Sequence, residues 1–228
     1  MRIAVISDIH GNLPALDAVL DDVSHIRPDL IVHGGDLALG GPHPAEAVAR
    51  VRELGWPSVL GNTDIVLSGE AEIVKHHPRG FVGDAARRTI SMLDEDAIQW
   101  LVTRPLEWSG HDVAVMHAAP GDCWKIVGHN ASDQELMETY SPLNAPVVVY
   151  GHVHHAFVRR LPGLTVVNSG SVSLSLDGDV RATYAVIDGD RIEHRRVPYD
   201  VERVAAEYAR IDYPNAAGYA SWLRTGAN

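Results

Sequence analysis

Three imidazoles in four positions, His152, His154 and His155, follow the apolar run 147–150 in the stretch VVVYGHVHHA. Neighbouring imidazoles cost desolvation when buried and repel one another when charged. A metal ion holds them neutral and removes both objections. Four other short stretches carry the same kind of side chain: Asp8-Ile9-His10-Gly11-Asn12, Gly34-Gly35-Asp36, Gly61-Asn62-Thr63-Asp64 and His117. Each is ordinary alone, because Gly, Asn and Asp favour turns for local backbone reasons. Asp8-x-His10 and His152-x-His154 are spaced i, i+2, and in extended chain that spacing aims both side chains to one side. Five such groups in succession, each just past a run that reads as a strand, point to a shared task. Carboxylate oxygens and imidazole nitrogens together are donors for a divalent cation.

Such groups need a frame that brings strand ends together. Short β-branched runs alternate with helical patterns, which predicts an α/β fold. Strands are predicted at Arg2–Ile6, 30–32, 58–60, Val113–Met116, Val147–Tyr150, 165–167, 182–187 and Arg191–Val197. Leu13, Leu16, Leu20 and Val23 fall at helical spacing between the first two. PAEAVARVRELG is a second helix, with Pro44 in its first turn and Gly55 at its end. DEDAIQWLV is another, with acids in its first turn. The stretch 65–93 is less regular and helical in parts. The last three strands have no helix between them, which predicts an antiparallel or mixed edge. A tail at about 201–224 reads as two amphipathic helical pieces interrupted at Pro214. In an open α/β sheet ligands collect at the carboxyl ends of the strands, where all five groups fall.

A chain of 228 residues with 46% hydrophobic content can bury one substantial core, so 1–228 is expected to form a single domain. The lone Cys123 excludes an intrachain disulfide framework and a thiolate zinc site, and fits a reducing compartment. The opening MRIAVISD has no signal-peptide core, and no apolar run nears about eighteen residues. A soluble, cytoplasmic protein without membrane contact is the expectation. The net charge of -11 opposes binding to long nucleic acid. A bound cation would supply the local positive site that this balance lacks. Oligomeric state leaves no mark on the sequence.

In their order and spacing the five groups resemble the motifs of the calcineurin-like metallophosphoesterases: D-x-H, G-D, G-N-H-[DE], a lone His and G-H-x-H. Here they stand as Asp8-Ile9-His10, Gly35-Asp36, Gly61-Asn62-Thr63-Asp64, His117 and Gly151-His152-Val153-His154. The resemblance spans roughly residues 1–175. The opening DIHGNLPALDAVL is most similar to small bacterial phosphodiesterase-type members. GGDLALGGP lacks the GD-x-x-D-R-G of the Ser/Thr protein phosphatases. The fold implied is two facing mixed β-sheets flanked by helices, a four-layer sandwich. The cofactors implied are two divalent metal ions, and this donor set suits Mn, Fe, Zn or Ni. Asp8, His10, Asp36 and His154 would hold one ion; Asp36, Asn62, His117 and His152 would hold the other, with Asp36 bridging. Ions about 3.5 to 4 Å apart can share a hydroxide for in-line attack on phosphorus. Set against two carboxylates and that hydroxide, the pair leaves a charge of about +1, which attracts phosphate. The activity implied is hydrolysis of phosphodiester or phosphoanhydride bonds in a small nucleotide-type substrate, such as a dinucleoside polyphosphate.

One position departs from the pattern. Thr63 stands where the family has a His that assists the leaving group. General acid help is worth about 10²- to 10⁴-fold, so phosphoanhydrides and aryl esters, whose leaving groups depart unprotonated, are the expected substrates. Every ligand position is filled, which favours an enzyme over the alternative, a metal-binding scaffold or interaction module on the same fold. Asn12 and His155 are further candidates for touching substrate, and Asn62 is shared between metal and substrate. Trp124 could stack a nucleobase, and His43 and His129 could line a pocket. His33 is expected to pack, while His25, His76, His77, His111 and His194 are expected at the surface.

Overall fold

Alternation along β1 (Arg2–Ile6) points Ile3 and Val5 to one face and Ala4 and Ile6 to the other, and all four are buried. β1 is therefore covered on both sides, and the fold is built outward from it. In the computed structural model, which describes residues 1–227, β1 pairs in parallel with β2 (Leu30–His33). Its other edge pairs antiparallel with β8 (Ala182–Asp188), and β8 pairs antiparallel with β9 (Arg191–Val197). The first sheet thus runs β2-β1-β8-β9. The second contains β3 (Glu107–Gly110), β4 (Val113–Met116), β5 (Val147–Tyr150), β6 (Phe157–Leu161) and β7 (Leu164–Asn168) in the order β3-β4-β5-β7-β6. β4, β5 and β7 are parallel to one another and the two edge strands are antiparallel.

The two sheets face each other across Val5, Val32, Val113, Val115, Val149 and Val167. The outer face of the first sheet packs Ala4 and Ile6 on Leu16 and Val19 of α1 (Leu13–Ile26) and Val48 and Val51 of α2 (Pro44–Leu54). The outer face of the second packs Met116, Val148 and Tyr150 on Leu136 and Tyr140. Two mixed sheets flanked by helices is the expected architecture.

On the same outer side as α1 and α2 pack α3 (Asn62–Val66), α4 (Glu70–His76), α5 (Phe81–Ile90) and α6 (Glu95–Val102). The first three resolve the irregular stretch 65–93. An eight-residue helix, α7 (Asp133–Tyr140), was not expected; Ser132 caps its N-terminus. The tail forms α8 (Val201–Arg210) and α9 (Ala216–Thr225) on either side of Pro214. Its Val204, Tyr208, Tyr213, Tyr219 and Leu223 close a separate cluster against Ala85 of α5.

Three strand expectations are corrected. Segment 58–60 makes only a bridge from Ser58 to His33, because Pro57 offers no N–H and the chain turns into α3 at Gly61. β3 and β6 went unforeseen: EWSG and FVRRL are edge strands without an unbroken apolar run. The strand at 165–167 is β7 of the second sheet, while β8 and β9 belong to the first. The chain crosses between sheets through 169–181.

That crossing segment is fastened by Asp177. Its carboxylate accepts from Arg196 at 2.6 and 3.2 Å, from Ser175 Oγ at 2.7 Å and from Asp179 N at 3.2 Å. Burial would raise this acid, but Arg196 and Ser175 overcome it and hold it at about 2 against an ordinary 3.8. A depressed folded-state value stabilises the fold above the ordinary one and ceases to do so as pH falls through about 2. Asp177→Asn is expected to cost about 1–3 kcal/mol at pH 7. In urea unfolding, its deficit relative to the unaltered chain should shrink between pH 7 and pH 3.

Candidate metal centre

The five groups leave the strands where the backbone turns sharply. Asp8 follows β1, Asp36 follows β2, Asn62 opens α3, His117 follows β4, and His152 and His154 follow β5. Asp8, His10, Asp36, His152 and His154 have φ of 56°, 48°, 57°, 65° and 55°. These are left-handed conformations, sparse for side chains with a Cβ and costing of order 1–3 kcal/mol each. The expectation of extended chain in Asp8-x-His10 and His152-x-His154 is therefore corrected. Each pair converges through two left-handed residues around a single intervening one.

The side chains meet. Donor atoms of Asp8, His10 and His154 lie within 4.8 Å of one another, as do those of Asp8, Asp36 and His117. His154 Nε2 is 3.0 Å from Asp8 Oδ1, and His117 Nε2 is 3.4 Å from Asp36 Oδ1. His10 Nε2 is 3.8 Å from Asp36 Oδ2. Asp36 thus presents one oxygen toward His10 and the other toward His117. Asn62 Oδ1 sits 2.9 Å from His117 Nε2 and 3.0 Å from His152 Nδ1, which brings both residues beside the second group. Asp8 belongs to both geometric groups, whereas the sequence expectation gave it to one.

The donor chemistry fits a divalent cation. Asp8 and Asp36 are 0% and 2% exposed, and no Lys or Arg pairs with either among the described residues. His10, His117 and His154 each donate Nδ1–H to a backbone carbonyl, of Leu39 at 2.6 Å, Gly34 at 3.0 Å and Leu174 at 2.5 Å. A carbonyl can only accept, so each neutral ring is left with a lone pair on Nε2. Those lone pairs face carboxylate oxygens, and His10 Nε2 faces His154 Nε2 at 3.4 Å. Acceptor against acceptor is repulsive unless positive charge lies between. Protons alone would charge adjoining rings and set them against one another.

The acid–base balance repeats this demand. Burial would lower His117, but the carboxylates of Asp36 and Asp8 push it up to about 10. His154 is raised in the same way, Asp8 overcoming burial. Asp8 and Asp36, which burial would raise, are held below the usual carboxylate range, Asp8 chiefly by His154 and Asp36 by His117. Burial lowers His10 and takes His152 down to about 4.

Several groups that hold this arrangement escaped the sequence. Asp64 is buried and accepts from the N–H groups of Asp36, Leu37 and Gly61 at 2.9, 3.0 and 3.0 Å. It ties the turn after β2 to the start of α3. Burial, then the charge of Asp36, raises it to about 6. Ser7 Oγ donates to Asp8 Oδ2 at 2.5 Å and bonds Ser169 Oγ at 2.7 Å. Gly61 and Gly151 are spaces kept open: a Cβ at Gly61 would strike the Asp36 carboxylate, and one at Gly151 that of Asp8. Gly in motifs three and five was the available signal for this close approach; carbonyl partners leave none.

Other expected contacts lie elsewhere. Asn12 is 0% exposed and caps α1, its Oδ1 accepting from Ala15 N and its Nδ2 donating to Ser173 Oγ, both at 3.1 Å. His155 stacks on His129 at 4.3 Å and lies outside the cavity over the donors. Trp124 stacks on His76 at 3.9 Å and is likewise outside it. His43 pairs with Glu207 of α8 at 3.1 Å. His33 is buried as expected; His76, His77 and His194 are half-buried rather than at the surface, and His194 donates to Asn168 O at 2.7 Å. Thr63 lines the cavity, its hydroxyl buried without a partner and its N–H donated to Asp36 Oδ1 at 2.9 Å.

A model of the calcineurin-like phosphoesterase superfamily domain matches residues 1–191. The chain belongs to this superfamily. It is a metallophosphoesterase, of a family that hydrolyses phosphoric esters and binds divalent metals. An uncharacterized protein of Methanocaldococcus jannaschii is 29% identical over 239 residues, covering 95% of each chain. A solved metallophosphoesterase from Sphaerobacter thermophilus is 29% identical with a TM-score of 0.83, covering 100% of this chain and 99% of its own. A hypothetical protein of Pyrococcus horikoshii shares the fold, with a TM-score of 0.90 at 16% identity over 100% and 99% of the two chains.

Asp64 reaches the donors only through backbone, so it serves as a test of this arrangement in the metallophosphoesterase. Asp64→Asn places an amide against one of three N–H donors and should weaken Mn²⁺ binding by about 10- to 100-fold, the range for outer-layer partners. Isothermal titration reads the change, and an unaltered circular dichroism spectrum separates it from unfolding.

Proposed function

We propose that this metallophosphoesterase uses two divalent ions to hydrolyse phosphodiester or phosphoanhydride bonds in small nucleotide-type molecules. The observation supporting it is the pair of buried carboxylates facing imidazole lone pairs with no cationic side chain among them. In this reading Asp8, His10, Asp36 and His154 hold one ion and Asp36, Asn62, His117 and His152 the other. Mn, Fe, Zn and Ni all suit the set. When bound, such a pair polarises phosphoryl oxygens and activates water for in-line attack. As part of the same proposal, the chain works as one domain in the cytoplasm, where its buried, unpaired Cys123 stays reduced.

The chain's own residues fix the geometry. Three Nδ1–H···O=C bonds set ring orientation and leave Nε2 free to donate to metal. Asp64 and Ser7 hold the turns that carry the carboxylates. Thr63 lines the same cavity but has no proton of suitable acidity to give an alkoxide. The bond broken must therefore release a group that leaves as an anion. Aryl diesters and phosphoanhydrides, including dinucleoside polyphosphates, meet that condition; simple alkyl esters do not.

Two measurements test the reading. Hydrolysis of bis(p-nitrophenyl) phosphate should depend on added Mn²⁺, stop with EDTA, and fall by at least about 100-fold in Asp36→Asn or His117→Ala, beyond the loss typical of outer partners. Indifference to EDTA would sink the metal mechanism. Across a series of aryl diesters the rate should drop steeply as leaving-group pKa rises. Thr63→His should lift the poorest of them toward the gain of about 10²-fold or more that a general acid supplies; a flat series would count against the role given to Thr63.

A further inference from the structure

Above the donor atoms the cavity changes character. It holds about 200 Å³, and its walls are apolar: Leu39, Leu174, Phe81 from the start of α5, and Tyr219 and Trp222 from α9. Among the described residues no Lys or Arg lines it. Phe81 meets Tyr219 edge-on at 5.9 Å and Trp222 at 6.0 Å, and Tyr219 meets Trp222 at 5.4 Å. The three rings brace one another, while Phe81 and Trp222 keep part of their surface open.

This wall is positioned by the fold. Tyr208 O–H donates to Gly40 O at 2.5 Å, and Gly40 N–H donates to Tyr213 Oη at 3.1 Å. The residue before Gly40 supplies the carbonyl that orients His10. The helix pair bearing the rings is thus tied to the turn that orients a candidate ligand, and its distance from the reacting centre is set.

Charge and size then select among the substrates admitted above. In a protein of net charge -11, only the ions draw an anion to this cavity. Any further phosphate of a polyphosphate would lie against apolar rings with no cation to pair it, a costly desolvation. A flat uncharged ring gains there by burial and edge contacts. The volume falls below the roughly 300–1,000 Å³ of pockets that enclose whole ligands, so it admits one ring rather than a dinucleotide. We propose that Phe81 and Trp222 form a subsite for an aromatic ring on a singly charged phosphodiester, and that such diesters, where the group released departs as an anion, rather than polyphosphates, are the substrate class. The proposal rests on the phosphoesterase reading of the adjacent donors.

Calorimetric titration of the Mn²⁺-loaded protein tests it without turnover. Methyl benzyl phosphate, an alkyl diester that the centre does not cleave, should bind about tenfold or more tighter than dimethyl phosphate, which carries the same charge and no ring. Trp222→Ala should erase that preference while dimethyl phosphate still binds, and Trp222→Phe should retain most of it. A dinucleoside monophosphate should bind at least as tightly as the matching tetraphosphate. Equal binding of the first two esters, a preference surviving in Trp222→Ala, loss of dimethyl phosphate binding in that variant, or a clear advantage for the tetraphosphate would each overturn the subsite. Failure of the phosphoesterase reading shows separately, as no Mn²⁺-dependent hydrolysis of bis(p-nitrophenyl) phosphate, and leaves the titration able to decide.

Discussion

Two buried carboxylates, paired with no Lys or Arg among the described residues, govern this molecule. Asp8 and Asp36 are buried just past the carboxyl ends of β1 and β2, and the side chains that face them are imidazoles, an amide and the Ser7 hydroxyl. An isolated buried carboxylate is so costly that it normally protonates or finds a partner. Here the hydrogen bonds to Asp8 from Ser7 and to Asp36 from the Thr63 N–H favour the ionised forms. The protein therefore maintains negative charge and leaves its compensation to something added from outside.

Maintaining that charge imposes strain on the backbone. Five of the converging residues occupy left-handed conformations, and such outliers persist only where their surroundings over-determine them. The surroundings are rigid: parallel pairs β1–β2 and β4–β5 are covered on both faces by valine layers and helices. Asp64 ties one turn to the next, and Asp177 holds the crossing segment whose Leu174 carbonyl orients His154. The sandwich serves to keep a few unfavourable turns in place.

What the sequence disclosed follows from this division. That Asp8, His10, Asp36, Asn62, His117, His152 and His154 would come together was legible, because donor atoms are residue types and strand ends follow from apolar runs. The sheets' composition was less so: EWSG and FVRRL lie at edges and lack buried faces, and nothing in 165–197 marks where the chain changes sheet. Asn12 and His155 look free in the sequence, but a cap and a ring stack engage them. Carbonyl partners such as those of Gly34, Leu39 and Leu174 carry no side-chain signature. The apolar wall was hidden for another reason: Phe81 and Trp222 lie far apart in the chain and meet only after the tail has packed on α5.

The grip on Gly40 by Tyr208 and Tyr213 joins residues 168 and 173 positions apart in a chain of 228. β1 likewise lacks a neighbour on one edge until β8 has been made. During synthesis the turn bearing the Leu39 carbonyl emerges early and waits, unfastened, for helices translated some 170 residues later. The carbonyl that sets the His10 ring is thereby fully fastened only once the C-terminal helices have docked, at the end of folding.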